Sequence, residues 1–246
     1  MRIVIILIML AIGVNMSAQT NVVDRQVVKK FKKPITKVVK FDYFLYLPDG
    51  YEESKAEYPM IMFLHGAGER GSDISLLKNN GIPGRISKEG KEFPFIIVSP
   101  QCPKDDWWGG PLNIPALNGL VDEIAETYRV DKKRIYLTGL SMGGFGTWEM
   151  AVNYPKKFAA IAPVCGGGNP KEVKAIKDLP IWVFHGAKDN VVDIKKSQEM
   201  FDALKKEGSD VKFTIYPEAN HNSWTETYNN PELYSWFLQQ TNKIER

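Results

Sequence analysis

Short apolar runs, rich in branched residues, alternate with longer polar segments along most of the chain. Each run is continuous, which is typical of strands buried on both faces of a parallel sheet. Five runs have this character: Met60 to Leu64, Phe95 to Val98, Ile135 to Leu137, Ile161 to Val164 and Ile181 to Phe184. A sixth run, 211–216, alternates and predicts an edge strand. Near the start, segments 36–41 and 43–47 predict an antiparallel pair of strands, followed by a turn at Pro48-Asp49-Gly50.

Between these runs, apolar residues recur at helical spacing. The positions concerned are Leu117, Leu120, Val121, Ile124 and Tyr128, and later Phe201 and Leu204. Strands that alternate with helices predict an α/β sandwich. Because crossover connections are right-handed, we expect helices on both faces of a mostly parallel central sheet.

The first 18 residues have a different character from the rest. Arg2 is their one charge, an apolar run extends from residue 3 to residue 14, and small residues stand at Ser17 and Ala18. This pattern predicts a signal peptide over residues 1–18 and a secreted or periplasmic product. The run is shorter than the roughly 20 residues that a spanning helix needs, which disfavours the alternative of a membrane anchor. Residues 19–246 then have the length of a single α/β domain.

Composition excludes some partners. The formal net charge is +3, and no basic cluster is interleaved with aromatic residues, so we do not expect nucleic acid binding. Two cysteines, Cys102 and Cys165, are too few for a disulfide framework. The oligomeric state stays open.

The segment Gly139-Leu140-Ser141-Met142-Gly143 has the G-x-S-x-G pattern of a nucleophile elbow. It follows a predicted strand and precedes a helix-compatible stretch, 145–152. The turn is so tight that side chains at 139 and 143 would collide with neighbouring backbone, which explains the two glycines. So short a pattern also arises by chance. Its place between a predicted strand and a helix-compatible stretch is what supports the interpretation of Ser141 as a nucleophile.

A serine nucleophile on this architecture needs an acid and then a histidine, in that chain order. Of the three histidines, His65 and His185 each end a predicted strand, whereas His221 lies in the polar loop after the last strand. His221 is therefore the candidate base, with a surface-loop histidine as the alternative. Asp189 follows the penultimate strand and is the candidate acid. Asp193 is its rival, and a turn-forming aspartate is the remaining alternative.

Acyl transfer also needs N–H donors aimed at the developing oxyanion. The backbone N–H of Met142, next to the nucleophile, is the first candidate. The second is Ala67, in the loop His65-Gly66-Ala67-Gly68, where glycines let the backbone approach the reacting carbon. An ordinary glycine turn is the alternative interpretation of this loop.

Three tryptophans are candidates for substrate binding. Trp107 and Trp108 follow a strand through a polar loop, and Trp224 follows the predicted base loop. They would form an aromatic rim for an acyl or sugar group, although buried packing explains them equally well. Glu69 and Arg70, beside the oxyanion loop, are candidates for positioning a polar group, but a local ion pair between them is the expected arrangement.

Three segments together resemble a known family: Phe63-Leu64-His65-Gly66-Ala67-Gly68-Glu69-Arg70-Gly71, Ser99-Pro100-Gln101-Cys102-Pro103 ahead of Trp107-Trp108, and Gly139-Leu140-Ser141-Met142-Gly143-Gly144. From about Val38 onwards the chain is similar to the secreted α/β-hydrolase esterases near carbohydrate esterase family 1. Feruloyl and acetyl-xylan esterases, polyhydroxybutyrate-depolymerase-like proteins and "predicted peptidases" share these features.

The resemblance implies that Ser141, Asp189 and His221 match the family triad. It also implies the α/β-hydrolase fold, with a sheet of about eight strands in the order 1-2-4-3-5-6-7-8. In that order two strands separate Cys102 from Cys165, so the thiols would be roughly 14 Å apart and unpaired.

The segment from Cys165 to Pro180 has only about 16 residues, too few for the helical cap of larger lipase-like relatives. We therefore expect no large cap domain and an open site. An open site suits an ester on a bulky carrier better than interfacial lipid hydrolysis.

These observations predict a serine carboxylic-ester hydrolase that works by two-step acyl transfer and needs no metal or organic cofactor. The expected substrates are feruloyl or acetyl esters of a polysaccharide or oligosaccharide, or small esters. The alternatives are a serine peptidase and a non-catalytic carbohydrate-binding protein on a hydrolase scaffold. We expect activity to fall as pH drops through about 6 to 7, where imidazoles ordinarily titrate.

Overall fold

A computed structural model describes residue 30 and residues 37–242, and the fold is formed by the unit that begins at Val38. The predicted signal peptide lies outside the described residues. The strands are β1 (Tyr43–Tyr46), β2 (Tyr58–Leu64), β3 (Ile96–Pro100), β4 (Val130–Leu140), β5 (Ala160–Val164), β6 (Trp182–Gly186) and β7 (Lys212–Tyr216). The α-helices are α1 (Gly81–Glu89), α2 (Asn113–Thr127), α3 (Met142–Asn153), α4 (Lys195–Lys206), α5 (Trp224–Asn229) and α6 (Pro231–Leu238).

The strands form one sheet in the order β1-β3-β2-β4-β5-β6-β7, in which only β1 is antiparallel to its neighbour. Successive residues of β2 alternate between two apolar cores, because side chains of a strand point to opposite faces. One core joins the sheet to α2, α3 and α4, and the other joins it to α1, α5 and α6. The expected α/β architecture, with helices on both faces, is confirmed.

The predicted strand pair at the start is wrong. Residues 37–42 form no strand, and Thr36 lies outside the described residues. β1 pairs instead with β3, with Tyr43 opposite Pro100. The edge of β3 gives β1 hydrogen-bond partners and an apolar surface together, which a two-stranded hairpin standing alone lacks. The described residues thus form seven strands rather than eight, in the expected order without its first strand.

The topology brings the carboxyl ends of the parallel strands, and the loops that follow them, to one edge of the sheet. Ligands of open α/β sheets bind at this edge. The segment 165–180, which leaves the same edge after β5, contains only the short 3₁₀ helix Val173–Ile176. The expected absence of a large cap is therefore confirmed, and the edge is open.

Both cysteines are buried and free, as expected. Cys102 follows β3 and Cys165 follows β5, with β2 and β4 between them in the sheet. No α-helix within residues 37–242 combines the length and apolarity needed to cross a membrane.

Candidate active site

Ser141 is the one residue between the end of β4 and the start of α3. Its backbone has φ 53° and ψ −116°, and residues other than glycine rarely adopt a positive φ. The Ser141 N–H donates to the carbonyl of Val164 at 3.0 Å, which ties the turn to β5. The chain therefore reverses within a single strained residue, and the serine side chain stands at the N-terminus of a helix, where negative charge is stabilised.

Two glycines make this turn possible. A Cβ at Gly143 would lie 2.0 Å from the carbonyl oxygen of Leu64, and one at Gly139 would lie 2.4 Å from the carbonyl oxygen of Gly143. Both obstacles are backbone atoms, which cannot move aside as a flexible side chain can. The predicted need for glycine at 139 and 143 is confirmed.

The structure brings Ser141, His221 and Asp189 together. His221 Nε2 lies 2.9 Å from Ser141 Oγ, and His221 Nδ1 lies 2.8 Å from Asp189 Oδ2. The Asp189 carboxylate is fully buried, whereas 17% of the His221 side chain is exposed. The rival Asp193 is exposed and accepts the N–H of Lys195 at 2.9 Å near the start of α4. Asp189 is thus the carboxylate that faces the imidazole.

The loop around Asp189 favours its ionised form. Burial raises the pKa of the carboxyl, but hydrogen bonds from His221 and from the backbone N–H groups of Val192 and Val191 outweigh that effect, so the pKa lies below its ordinary value. Both backbone donors reach Oδ1, each at 2.9 Å. Oδ2 is left to face the imidazole as an anionic acceptor.

A second imidazole faces the same carboxylate oxygen. His185, at the end of β6, is fully buried, and its Nε2 lies 3.1 Å from Asp189 Oδ2. Its Nδ1 lies 2.8 Å from the hydroxyl of Ser197, in α4. Sequence reasoning set His185 aside as a strand end. Its spacing of four residues from the candidate acid was the signal available for finding it.

The third histidine joins two loops. His65 Nδ1 donates to the carbonyl of Gly66 at 2.6 Å, and its Nε2 accepts the backbone N–H of Cys102 at 2.9 Å. Burial lowers the pKa of His65 to about 4, so the ring is neutral at pH 7. His65 therefore connects the loop after β2 to the loop after β3.

The two candidate oxyanion donors lie at helix starts. Met142 is the first residue of α3, and Ala67 is the first residue of the 3₁₀ helix Ala67–Glu69. The first N–H groups of a helix have no partner within it and are free to bind an anion. Arg70 donates from Nε to the carbonyl of Ala67 and from Nη1 to the carbonyl of Asp106, each at 3.1 Å. Arg70 thereby holds the Ala67 loop against the loop after β3.

The expected ion pair between Glu69 and Arg70 is wrong. Glu69 is buried, and its Oε1 accepts a hydrogen bond from the Asn80 side-chain amide at 2.5 Å. The side-chain oxygen Oδ1 of Asn80 in turn accepts a hydrogen bond from the indole N–H of Trp224 at 3.3 Å. This connection joins the Ala67 loop to the His221 loop. It escaped sequence reasoning because the three residues come from separate segments.

The three tryptophans differ in exposure. Trp108 is fully buried, and its indole N–H donates to the carbonyl of His65 at 2.9 Å, so Trp108 belongs to the core and not to the predicted rim. Trp107 is 46% exposed. Trp224 is half-buried and packs edge-on against His221, with 5.2 Å between ring centroids. Of the three tryptophans, Trp107 and Trp224 are the two with exposed surface.

Cys165 lies beside the acid and base. Its sulfur and the ligand atoms of Asp189 and His221 are all within 4.8 Å of one another. Burial raises the pKa of this thiol to about 12, so it is protonated at neutral pH and is a poor metal ligand. Since Asp189 and His221 already bind each other, we assign no metal to this group.

Comparison with known proteins finds similarity to several proteins that are named as esterases. Residues 114–235 match the model of the Dienelactone hydrolase family. The bifunctional acetylxylan esterase/xylanase XynS20E of Neocallimastix patriciarum is 29% identical over 79% of this chain and 28% of its own length. An endo-1,4-beta-xylanase/feruloyl esterase of Xylanibacter ruminicola is 30% identical over 67% of this chain and 25% of its own length.

Among solved structures, a thermostable esterase is 34% identical, with a TM-score of 0.72 over 86% of this chain and 62% of that chain. The resemblance to feruloyl and acetylxylan esterases and the α/β-hydrolase fold are both confirmed. The chain spans about a quarter of the length of the two curated relatives described above.

Proposed function

We propose that this chain is a serine carboxylic-ester hydrolase, with Ser141 as nucleophile, His221 as general base and Asp189 as the orienting acid. The observation that carries the proposal is the continuous hydrogen-bonded path from Ser141 Oγ through His221 to the buried Asp189 carboxylate. The esterase relatives support the same reaction class.

The geometry suits two-step acyl transfer. Asp189 accepts the Nδ1–H of His221, so the lone pair on Nε2 faces Ser141 and receives its proton. The serine oxygen attacks the ester carbonyl, and the backbone N–H groups of Met142 and Ala67 stabilise the oxyanion. His221 then protonates the leaving alcohol. A water molecule, deprotonated by His221, attacks the acyl-enzyme and releases the acid.

We propose a feruloyl or acetyl ester of a plant polysaccharide or oligosaccharide as the substrate. The short segment after β5 leaves room for a bulky carrier, and Trp107 and Trp224 offer aromatic surface to a planar acyl group or a sugar ring. The names of the relatives, which pair esterase with xylanase, favour the same substrate class. Residues 19–246 are proposed as a single domain that acts in the periplasm or outside the cell after removal of residues 1–18.

Fluorophosphonate labelling with peptide mapping tests the nucleophile. We expect a single modified peptide that contains Ser141, no label in Ser141→Ala, and full labelling in the matched control Ser87→Ala, which changes an exposed serine on α1. Absence of label in the folded wild-type protein refutes the serine mechanism.

Initial rates on methyl ferulate, 4-nitrophenyl acetate and a peptide anilide test the reaction class. We expect turnover of at least one of the two esters, abolished in Ser141→Ala. Faster hydrolysis of the anilide identifies a peptidase instead. Binding of xylan without label or turnover supports the carbohydrate-binding alternative.

A further inference from the structure

We infer that His185 is a positioning residue for the triad acid, and that its Nε2–H holds Oδ2 of Asp189 in place for His221. The inference rests on the proposed function. It adds two residues around the proposed triad: His185, whose Nε2 faces the carboxylate, and Ser197, whose hydroxyl contacts Nδ1 of the His185 ring.

The hydrogen on Nε2 of His185 follows from its neighbours. Nε2 lies 2.9 Å from the carbonyl oxygen of Val192 and 3.1 Å from Asp189 Oδ2. A carbonyl and a carboxylate are both acceptors, so the nitrogen between them must carry a hydrogen. The single hydrogen on Nε2 is therefore shared between the Val192 carbonyl, at 2.9 Å, and the Asp189 oxygen that accepts from His221, at 3.1 Å.

Ser197 accounts for the other ring nitrogen. Burial lowers the pKa of His185, so the ring is neutral and Nδ1 is an acceptor when Nε2 carries the hydrogen. The Ser197 hydroxyl lies 2.8 Å from Nδ1 and is the donor available to it. The same hydroxyl lies 2.8 Å from the carbonyl oxygen of Gly166, so it donates to one of two acceptors at a time.

The carboxylate is thus held by donors on both of its oxygens. Val191 and Val192 donate to Oδ1, whereas His221 and His185 face Oδ2. The backbone carbonyl of Val192 also accepts a hydrogen bond from His185 Nε2, so the His185 ring contacts the loop that carries Asp189 as well as the carboxylate itself. Without His185, Oδ2 keeps a single donor, and the carboxylate can rotate away from the position that orients His221.

Kinetics of two variants separate a donor role from a packing role. His185→Leu removes the donor, and we expect kcat to fall about 10- to 100-fold with KM unchanged, the range for loss of a hydrogen bond to a charged group. His185→Gln places an amide N–H near the former Nε2 and should recover most of kcat. Equal losses in both variants assign the effect to ring packing and overturn the inference.

The tautomer of His185 is a readout that does not depend on activity. The chain has three histidines, so ¹⁵N signals of histidine-labelled protein can be assigned with His65→Gln, His185→Gln and His221→Gln. We expect His185 to carry its hydrogen on Nε2 with Nδ1 unprotonated. We also expect the low-field proton signal of His221 Nδ1–H to persist in His185→Gln. A hydrogen on Nδ1 of His185 in the wild-type protein overturns the inference even if His185→Leu does not fold.

Tyr136→Phe is the matched control. Its hydroxyl donates a part-buried hydrogen bond to the carbonyl of Gln240 at 2.9 Å, remote from Asp189 in the sheet. We expect it to lower stability without lowering kcat. Failure of the proposed function is recognised separately, because the wild-type protein would then neither take up fluorophosphonate nor hydrolyse esters, whatever the His185 tautomer.

Discussion

Replacing Gly143 by alanine tests whether the close approach of α3 to the loop after β2 determines the elbow. A Cβ at this position would lie 2.0 Å from the carbonyl oxygen of Leu64, 2.6 Å from its carbonyl carbon and 2.9 Å from the carbonyl oxygen of His65. All three atoms are backbone, so α3 or β2 must shift. Overpacking of this kind costs about 1 to 3 kcal/mol or more, and we expect the upper end because no side chain can move aside.

Gly119→Ala is the control for this experiment. Gly119 lies in the exposed face of α2, and a Cβ there would meet nothing within 4 Å. Alanine in a helix is favoured over glycine by about 0.5 to 1 kcal/mol, so this variant should be slightly more stable than the wild-type protein. Gly143 also lies in a helix, so the difference between the two variants isolates the steric contact.

Urea unfolding followed by circular dichroism gives the free energy of unfolding of both variants. Fluorophosphonate labelling rates show in parallel whether the elbow has moved. We expect Gly143→Ala to be destabilised and labelled slowly, and Gly119→Ala to be labelled at the wild-type rate. Wild-type stability and labelling in Gly143→Ala would refute the steric account of the elbow.

Three further predictions follow from the site. Asp189→Asn should lower kcat by about 10³- to 10⁴-fold, because an amide no longer selects the Nδ1–H tautomer of His221; Asp193→Asn should leave kcat unchanged, and steady-state rates decide between them. His65 should lower the free energy of unfolding by about 3 kcal/mol as pH drops from about 6.5 to 4, because its pKa is about 4 in the folded state and the unfolded chain therefore binds more protons in that window. The lowered pKa of His185 acts in the same direction. Urea unfolding at both pH values checks this, and His65→Gln should show a smaller drop. Trp107→Ala should raise KM for methyl ferulate at constant Tm. Trp108→Ala should instead lower the free energy of unfolding by about 3 to 5 kcal/mol, as expected for a buried tryptophan. The reverse pattern would contradict the assignment of Trp107 to the surface and Trp108 to the core.

The sequence alone determined those features that depend on neighbours along the chain. Continuous apolar runs identified five strands, from Met60 to Leu64 through Ile181 to Phe184, because a strand buried on both faces tolerates few polar residues. The alternating run 211–216 identified the edge strand. The nucleophile elbow was also predicted from the sequence, since its tight turn requires Gly139 and Gly143, which lie within one five-residue segment. The chain order of Ser141, Asp189 and His221 followed from the order of the strands that precede them.

The tertiary structure decided what depends on residues far apart in the chain. It paired β1 with β3, buried Trp108 beneath His65, and left Trp107 exposed although the two are adjacent. It also joined Glu69 to Trp224 through Asn80. No local pattern predicts these contacts, because each pairs groups from different loops.

The surroundings of the acid illustrate the same division. The pattern of the chain identified Asp189 as a candidate but assigned no role to His185 or Ser197. Only the packing of α4 against the end of β6 brings the Ser197 hydroxyl to the His185 ring, and that ring to the carboxylate. Hydrogen-bond partners are selected by distances of about 3 Å, and distances between segments are set by how helices pack on the sheet rather than by the order of residues.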